Sequence, residues 1–515
     1  MLLGQFVDVE HALRILASNR IAEADRMMWS YPRRFVAPSE RTKVSSVTIQ
    51  YMTPGATLAV PSGAARPRLT FLGTGYLGAT YAVCFAELGY EVLGYDVDAP
   101  KIAKLTGGEV PFHEPGLDEM LRKNLAAGRL KFTTSIEEAA AFGDIHFICV
   151  GTPQRADSMA ADLSHVEDVV VRLAPHLHRK ALIAGKSTVP VGTAEWVEQL
   201  VRRHAPAGSH VEVAWSPEFL QEGHAVEDVL RPNRVIFGVR SEWANDMLFA
   251  AHKGVFDLAT TEDREVPVVI TNFATAELVK VAANAFLATK ISFINAMAEI
   301  CEPAGADVTQ LARAIGYDAR IGNRFLRAGV GFGGGCLPKD IRAFQARAQE
   351  LGVGEALRFL HEVDLINQRR RQWVVQLAAE LLGRPFGPAG PDLSGVKVAV
   401  LGATFKPNSD DVRDSPALSV VRKLSRSGAE VSVYDPEGME NARREVPDAT
   451  YARSVVEAVT GADLVCVLTE WEEFRTADPV VLADLVAGKV VIDGRNCLDP
   501  VLWRRAGWEY RGMGR

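Results

Sequence analysis

Leu69-Thr70-Phe71-Leu72-Gly73-Thr74-Gly75-Tyr76-Leu77-Gly78 is the stretch that sets the fold. Four residues read as a short buried strand, and three glycines at G-x-G-x-x-G spacing read as the tight turn after it. Working outward, residues 79–88 carry a helical pattern and residues 91–95 form a second strand that ends at Asp96. Together they make a βαβ unit. In that setting Gly73 permits the turn, Gly75 lets a pyrophosphate approach the backbone, and Gly78 lets the helix pack closely. Asp96 lies 23 residues after Gly73. A carboxylate there accepts from both ribose hydroxyls and repels a 2′-phosphate, which points to NAD as the cofactor.

The same rhythm continues through strands at 145–150, 181–184 and 211–214, as expected of a doubly wound, mostly parallel sheet. Residues 271–301 then form a long Ala-rich segment without glycine or proline, closed by Pro303 and Gly305. It reads as a helical spine between domains and a candidate dimer surface. A helix-rich block runs to 382, and the Gly- and Pro-rich run 383–391 marks a linker. Strands at 396–401 and 430–434, the latter ending at Asp435, restart the βαβ pattern. Gly461-Ala-Asp-Leu-Val-Cys-Val-Leu-Thr469 echoes Gly143-Asp-Ile-His-Phe-Ile-Cys-Val-Gly-Thr152. The expected fold class is α/β, with two Rossmann-like doubly wound domains joined by a long central helix and a helical dimerisation region. The expected divisions are a flexible N-terminal extension at 1–66, a NAD-binding domain at 67–270, a central helical domain at 271–390 and a second Rossmann-like domain at 391–515. Only the first Rossmann-like domain keeps the full glycine fingerprint, so the second is expected to take a different nucleotide. Residues 1–66 read as a mobile extension or linker, or as a misassigned translation start.

The bulk composition excludes several function classes. The chain has 515 residues, 48% hydrophobic and 23% charged, with a formal net charge of −7. That balance gives no footprint for nucleic acid or an anionic membrane. A phosphate-bearing substrate would need a local cluster of cations. The six cysteines show neither C-x-x-C pairing nor zinc spacing, so no metal site is expected. Cysteine usage suits a reducing, cytoplasmic setting. No run approaches about 20 continuous apolar residues, and no signal-peptide pattern opens the chain.

One cysteine stands apart. Cys336 follows Gly331-Phe332-Gly333-Gly334-Gly335 and precedes Leu337-Pro338-Lys339-Asp340, where a helix is expected to start. Helix amides and Lys339 would favour a thiolate, and Asp340 shares its helical face at i+4. A buried structural thiol is the plainer alternative. Lys280 and Asn284 repeat the i, i+4 spacing on the long helix among Val281, Ala282, Ala283 and Phe286, a setting that reads as buried. Lys280 there would stabilise an oxyanion, although such pairs are ordinarily surface pairs. Glu218 and Glu222 share the same spacing. Read alone they are a surface pair; partly buried, one would rise in pKa and act as a base. A hydride acceptor and a nucleophilic thiol together suggest oxidation of an alcohol to an aldehyde, its capture on sulfur, a second oxidation to a thioester, and hydrolysis.

These motifs, with Glu114-Pro-Gly-Leu117, Val150-Gly-Thr-Pro153, Ser187-Thr-Val-Pro-Val-Gly-Thr193, Ser216-Pro-Glu-Phe-Leu220, Thr404-Phe-Lys-Pro407 and Asp411-Val-Arg-Asp-Ser415, occur in one order. In that order the chain, from about residue 68 onward, resembles the UDP-glucose/GDP-mannose dehydrogenase family, and within it the bacterial glucose-type members. The resemblance implies an NAD-dependent four-electron oxidation of a UDP-sugar C6 alcohol to the carboxylate. It implies that Cys336 is the nucleophile, Lys280 the oxyanion stabiliser, Asn284 and Asp340 its partners, Glu218 the base for thioester hydrolysis, and Thr188 the residue that places water. It assigns Tyr76, Leu77, Lys101, Thr152, Thr188, Glu222, Lys339 and Arg413 to the cofactor beside Gly73, Gly75, Gly78 and Asp96. It assigns Phe219, Leu220, Phe325, Gly331, Phe332, Gly333, Phe405, Lys406 and Arg495 to the sugar nucleotide, with Lys280 and Asn284. Arg320 is similar to an arginine that enters the neighbouring subunit's site, which implies a homodimer or higher oligomer. The chain departs from the family at residues 1–66, and at Gly335 and Leu337, where many relatives carry Ser and Phe. UDP-N-acetylmannosamine, UDP-N-acetylglucosamine or GDP-mannose as substrate remains open, as do a two-electron dehydrogenase and a silent sugar-nucleotide sensor.

Overall fold

The computed structural model describes residues 48–52, 66–387 and 390–515. The first sheet contains β1 (Thr48–Met52), β2 (Leu69–Leu72), β3 (Val92–Tyr95), β4 (Leu130–Thr133), β5 (Ile145–Ile148), β6 (Ala181–Gly185), β7 (Val211–Trp215), β8 (Val235–Gly238) and β9 (Val266–Thr271). Their spatial order is β1-β9-β8-β7-β6-β5-β2-β3-β4. Strands β2 to β7 pair in parallel, and counted from β2 their order is 3-2-1-4-5-6. That is the doubly wound topology, with its switch point between β2 and β5, just beyond which the glycine turn lies. Every residue of β2, β3 and β5 is buried, because helices cover both faces of a parallel sheet.

The far edge was not expected. β8 meets β7 through one antiparallel bridge, Trp215 to Gly238, and β9 runs parallel to β8. β1 then adds antiparallel to β9, Thr48 opposite Ile270 and Met52 opposite Val266. This strand falls within the 1–66 stretch, which is therefore not wholly apart from the sheet. The rest of the expected extension, up to residue 65, lies outside the described residues.

Beyond a short ribbon of β10 (Phe386–Gly387) and β11 (Gly390–Pro391), the second sheet contains β12 (Lys397–Leu401), β13 (Glu430–Tyr434), β14 (Thr450–Tyr451), β15 (Leu464–Val467), β16 (Val490–Asp493) and β17 (Glu509–Gly512). All pair in parallel, in the order β14-β13-β12-β15-β16-β17. The topology of the first sheet is thus repeated. The echo reaches single atoms. Asp96 Oδ2 accepts from the Thr74 backbone N–H at 2.8 Å and the Thr74 hydroxyl at 3.1 Å. Asp435 Oδ2 accepts from the Thr404 backbone N–H at 3.0 Å and the Thr404 hydroxyl at 2.9 Å.

The helices that bear on the site are α1 (Tyr76–Glu87), α2 (Thr193–His204), α3 (Ala225–Leu230), α4 (Phe273–Ala304), α5 (Leu337–Glu350) and α6 (Phe359–Leu381). The central helix α4 starts where the Asn272 side chain accepts from the Thr275 N–H at 2.8 Å and stops at Gly305, which has φ of 67°. It is long and apolar, with mean hydropathy 1.3 over 18 residues, as the core helix of a large fold can be. Here it is the spine of the fold, packed against α5 and α6. Its inward face buries Glu277, Lys280, Asn284 and Asn295. Ala282 and Phe286, expected to be buried beside Lys280, are instead exposed. Phe286, Phe293 and Ile300 recur every seven residues as an exposed apolar stripe.

Candidate active site

The nucleophile candidate sits at a junction. Cys336 is the residue before α5, and its carbonyl accepts from the Asp340 N–H at 3.0 Å, closing the first helical turn. Cys336 is open to solvent, but protein atoms crowd its sulfur. That burial pushes the thiol up to about 11, against the pull of the Lys280 ammonium. The expected thiolate is thus replaced by a resting thiol, because desolvation outweighs the cations and the helix terminus.

Lys280 is buried on α4 with Glu218, Nζ to Oε1 at 3.0 Å. Burial works to lower its pKa, but Glu218, Cys336 and Asp340 together raise it, so it stays an ammonium. One turn further on, Asn284 Nδ2 donates to Asp340 Oδ2 at 2.7 Å, and Lys339 Nζ donates to Oδ1 at 2.6 Å. The i, i+4 pairs of the sequence therefore do not pair with each other. They reach across α4, α5 and the loop after β7 to form one polar cluster around the sulfur.

Glu218 and Glu222 do not share a helix face, because residues 216–222 form a loop. Glu218 turns to Lys280 and to the Leu220 N–H. Glu222 turns to the second domain, accepting from Arg413 at 2.9 Å and from the Ser409 hydroxyl at 3.3 Å. Burial and the neighbouring Asp411 raise Glu222, while burial of Asp411 is overcome by Arg413, which holds it low.

The turn at Gly73 fits a dinucleotide. Gly73 has φ of 91°, and a Cβ on Gly78 would fall 1.8 Å from the Gly73 carbonyl oxygen, so α1 starts pressed against the turn. Nothing lies within 4 Å of the Cβ position on Gly75, which leaves that face open for a phosphate. At the end of β3, Asp96 takes Lys101 Nζ at 2.9 Å. Burial works to raise Asp96, but Lys101 and the Asp98 and Thr74 amides keep it low and ionised. Tyr76 donates to buried Glu114, which also accepts from Gly223 N–H at 2.7 Å and Ala225 N–H at 2.8 Å at the start of α3. Leu77 packs into the first-domain core. Thr152 donates to the Thr188 carbonyl at 2.7 Å, and both border a cavity shared with Lys339 and Asp340.

The glycine loop before Cys336 is shaped by what it touches. The Asn367 side chain on α6 accepts from the Phe332 N–H at 2.7 Å and donates to its carbonyl at 3.0 Å. Arg371 donates to the same carbonyl at 2.9 Å and to Asp414 at 2.7 Å. A Cβ on Gly335 would lie 2.3 Å from the Arg413 guanidinium carbon, so the missing serine at this position leaves room for Arg413. Gly331 and Gly333 line the same loop, but the Phe332 ring is turned into the core with Ala285, Ile341 and Leu360. Phe332, expected at the sugar nucleotide, is thus buried, with its ring in the core and its N–H and carbonyl held by Asn367 and Arg371. Arg495 donates to the Leu468, Gly331 and Phe405 carbonyls at 2.8, 3.0 and 3.0 Å, which occupies its guanidinium with holding the loop to the second domain. Lys406 lies 5.3 Å from the Phe405 ring centre, and Arg234 caps the Phe219 ring at 3.7 Å. Phe325 holds φ of 63° in the loop before the glycine run. Arg320 is brought to none of these groups. It is 89% exposed and forked onto Asp318.

Asn367, Arg371 and Glu277 escaped the sequence reading, and Glu114 stood in it only as part of a motif, without a role. Asn367 had a signal: it falls on the buried stripe of α6 with Leu360, Val363 and Val374, a polar residue where the pattern calls for an apolar one.

Comparison with known proteins follows the same three segments. The NAD-binding domain model of the UDP-glucose/GDP-mannose dehydrogenase family matches residues 67–255, its central domain matches 274–369, and its UDP-binding domain matches 399–500. A UDP-glucose 6-dehydrogenase of Rhizobium meliloti is 41% identical over 451 residues, 87% of this chain and 99% of that one. UDP-glucose 6-dehydrogenase YwqF of Bacillus subtilis is 38% identical, covering 87% of this chain and 97% of that one. The structure of a UDP-glucose dehydrogenase from Pyrobaculum islandicum superposes with TM-score 0.79 at 38% identity, over 88% of this chain and 99% of that one. That of a UDP-D-ManNAc dehydrogenase from Pyrococcus horikoshii gives 0.73 at 30% identity, over 87% and 99%. With the dinucleotide turn, the Lys280–Cys336 cluster and the second parallel sheet matched in their order, the chain belongs to the UDP-glucose/GDP-mannose dehydrogenase family.

Proposed function

We propose that the protein oxidises the C6 alcohol of UDP-glucose to the carboxylate of UDP-glucuronate, with Cys336 holding the half-oxidised sugar. The observation that carries this reading is the convergence of Cys336, Lys280, Glu218, Asn284 and Asp340 from three separate elements. NAD, held by the Gly73–Gly78 turn, Asp96 and Lys101, supplies the hydride acceptor at both oxidation stages. Residues 67–270 carry that role, 271–390 the thiol chemistry, and 391–515 the uridine diphosphate.

The chemistry assigned to the chain's own residues is as follows. Oxidation of the alcohol, its hydride going to NAD and its hydroxyl proton to water, gives an aldehyde whose carbon is attacked by Cys336 Sγ. The Lys280 ammonium donates a proton to the carbonyl oxygen as the S–C bond forms, and the thiol proton restores the ammonium. Loss of a second hydride from that carbon to NAD, with the hydroxyl proton passing to water, leaves a thioester on Cys336. Glu218 takes a proton from water as the water attacks; Asn284 and Asp340 hold the carbon in line. Collapse breaks the S–C bond, releases the carboxylate and returns the thiol. Covalent capture keeps the aldehyde from escaping while the cofactor is exchanged.

Glucose as the sugar rests on the glucose-type relatives and on Ser216-Pro-Glu-Phe-Leu and Phe405-Lys-Pro-Asn408. NADH production over a panel of UDP-glucose, UDP-N-acetylmannosamine, UDP-N-acetylglucosamine and GDP-mannose tests it; greater kcat/KM with any of the last three overturns it. A second copy is assigned to the exposed Phe286, Phe293 and Ile300 stripe, with Arg320 reaching the partner's site. A cytoplasmic setting accords with six unpaired cysteines.

A further inference from the structure

Glu277 belongs to none of the roles above, and its placement is unusual. It is 2% exposed, on the same inward stripe of α4 as Lys280 and Asn284. It has no ion-pair partner among the described residues. Its carboxylate instead takes the Gly192 N–H at 2.8 Å and the Ala194 N–H at 2.6 Å, the free amides at the start of α2. These amides end the loop that begins at Thr188. The other end of that loop is fixed where Thr152 donates to the Thr188 carbonyl. A second grip comes from α5, where Arg347 Nε donates to the Val191 carbonyl at 2.9 Å. Between loop and helices lies a cavity lined by Thr152, Thr188, Val189, Leu278, Lys339 and Asp340.

The stripe on α4 therefore serves three neighbours in succession. Glu277 holds the loop after β6, Lys280 the loop after β7, and Asn284 the first turn of α5. We propose that Glu277 is a positioning residue: with Arg347 it clamps the 188–193 loop to the helices that carry Lys280 and Cys336, and so sets where Thr188 stands over the reacting carbon. This rests on the reading of Thr188 as the residue that places water. A plain helix cap would serve the stability of α2 alone. A clamp acts through Thr188, and the two are separable by kinetics.

The test is a double-mutant cycle on the full chain, with Glu277→Gln, Thr188→Ala and their combination measured for kcat and KM toward UDP-glucose and NAD. Glutamine keeps the shape but turns an N–H₂ group toward one of the two amides it must accept from. The expected result is a kcat about 10-fold or more below wild type for E277Q, since small misplacements at a reacting centre are costly. Both KM values stay within about twofold, and E277Q adds no further loss in the T188A background. Equal E277Q losses in both backgrounds, or a normal kcat for E277Q beside a defective T188A, overturn the clamp while leaving the Thr188 role standing. A normal kcat for T188A removes the Thr188 role and the clamp with it. Should E277Q fail to fold, Arg347→Met tests the same loop from α5. A kcat loss that disappears in the T188A background supports the proposal, and one that persists refutes it.

Discussion

A thiol held near 11 must lose its proton as it attacks, and that sets what single substitutions should do. Alkylation of Cys336 by iodoacetamide is expected to climb steadily from neutral pH toward about 11 without a neutral plateau, read by peptide mass spectrometry. Lys280→Ala removes the charge that favours the thiolate, so the climb should move to higher pH and slow at every pH below it. The same variant should cut kcat by about 10²-fold or more, the scale of a lost oxyanion donor; near-normal turnover would contradict the role. Spacing and motif singled out Cys336, Lys280, Glu218, Asn284 and Asp340, which the structure gathers. Their partners were not. The i, i+4 rule pairs residues on one helix, whereas Lys280 and Asn284 each bond a different element. The sign of the thiol shift was also hidden, because desolvation depends on neighbours brought from far along the chain.

At the level of elements, two buried side chains hold the scaffold under the site. Asn367→Ala would leave the Phe332 N–H without a partner in the interior and its carbonyl with Arg371 alone, at a cost of about 1–3 kcal/mol that urea unfolding would register. Glu277 gives a pH signature. Burial raises it to about 7, with Glu195 pushing the same way and the two amides and Arg347 opposing. The folded chain thus binds this proton more tightly than the unfolded chain, so stability falls as pH rises from 4.5 to about 7 and levels above. Glu277→Gln should remove that component of the slope, seen as a flatter urea midpoint across the same range. Helix α4 was legible nearly end to end from its alanine-rich run and its Gly305 stop. Its exposed face was not, since Ala282 and Phe286 look buried by composition. Strands β2, β3, β5 and β6 announced themselves as apolar runs. Strands β1, β8 and β9, on the far side of the sheet, did not, because β1 pairs with a distant segment and β8 meets β7 at one bridge only.

For the whole molecule, the repeated 3-2-1-4-5-6 topology explains why the sequence carries a visible echo. What the echo could not reveal is how the halves meet. His113 N–H to Asp410 at 3.3 Å, Arg413 to Glu222 and Arg495 to the Gly331 carbonyl join residues far apart in the chain. The open stripe on α4 leads to an assembly prediction: Phe286→Glu with Phe293→Glu should yield monomers in sedimentation and lose activity, because Arg320 would no longer reach a partner's site. Unchanged oligomerisation would move the interface elsewhere. The central claim, that sulfur at position 336 carries the sugar between its two oxidations, is tested most directly by intact-mass spectrometry on enzyme quenched during turnover with UDP-glucose and NAD. The account predicts a covalent sugar-nucleotide adduct on Cys336 in the wild type, and neither adduct nor UDP-glucuronate with Cys336→Ala; full carboxylate production by that variant would contradict it.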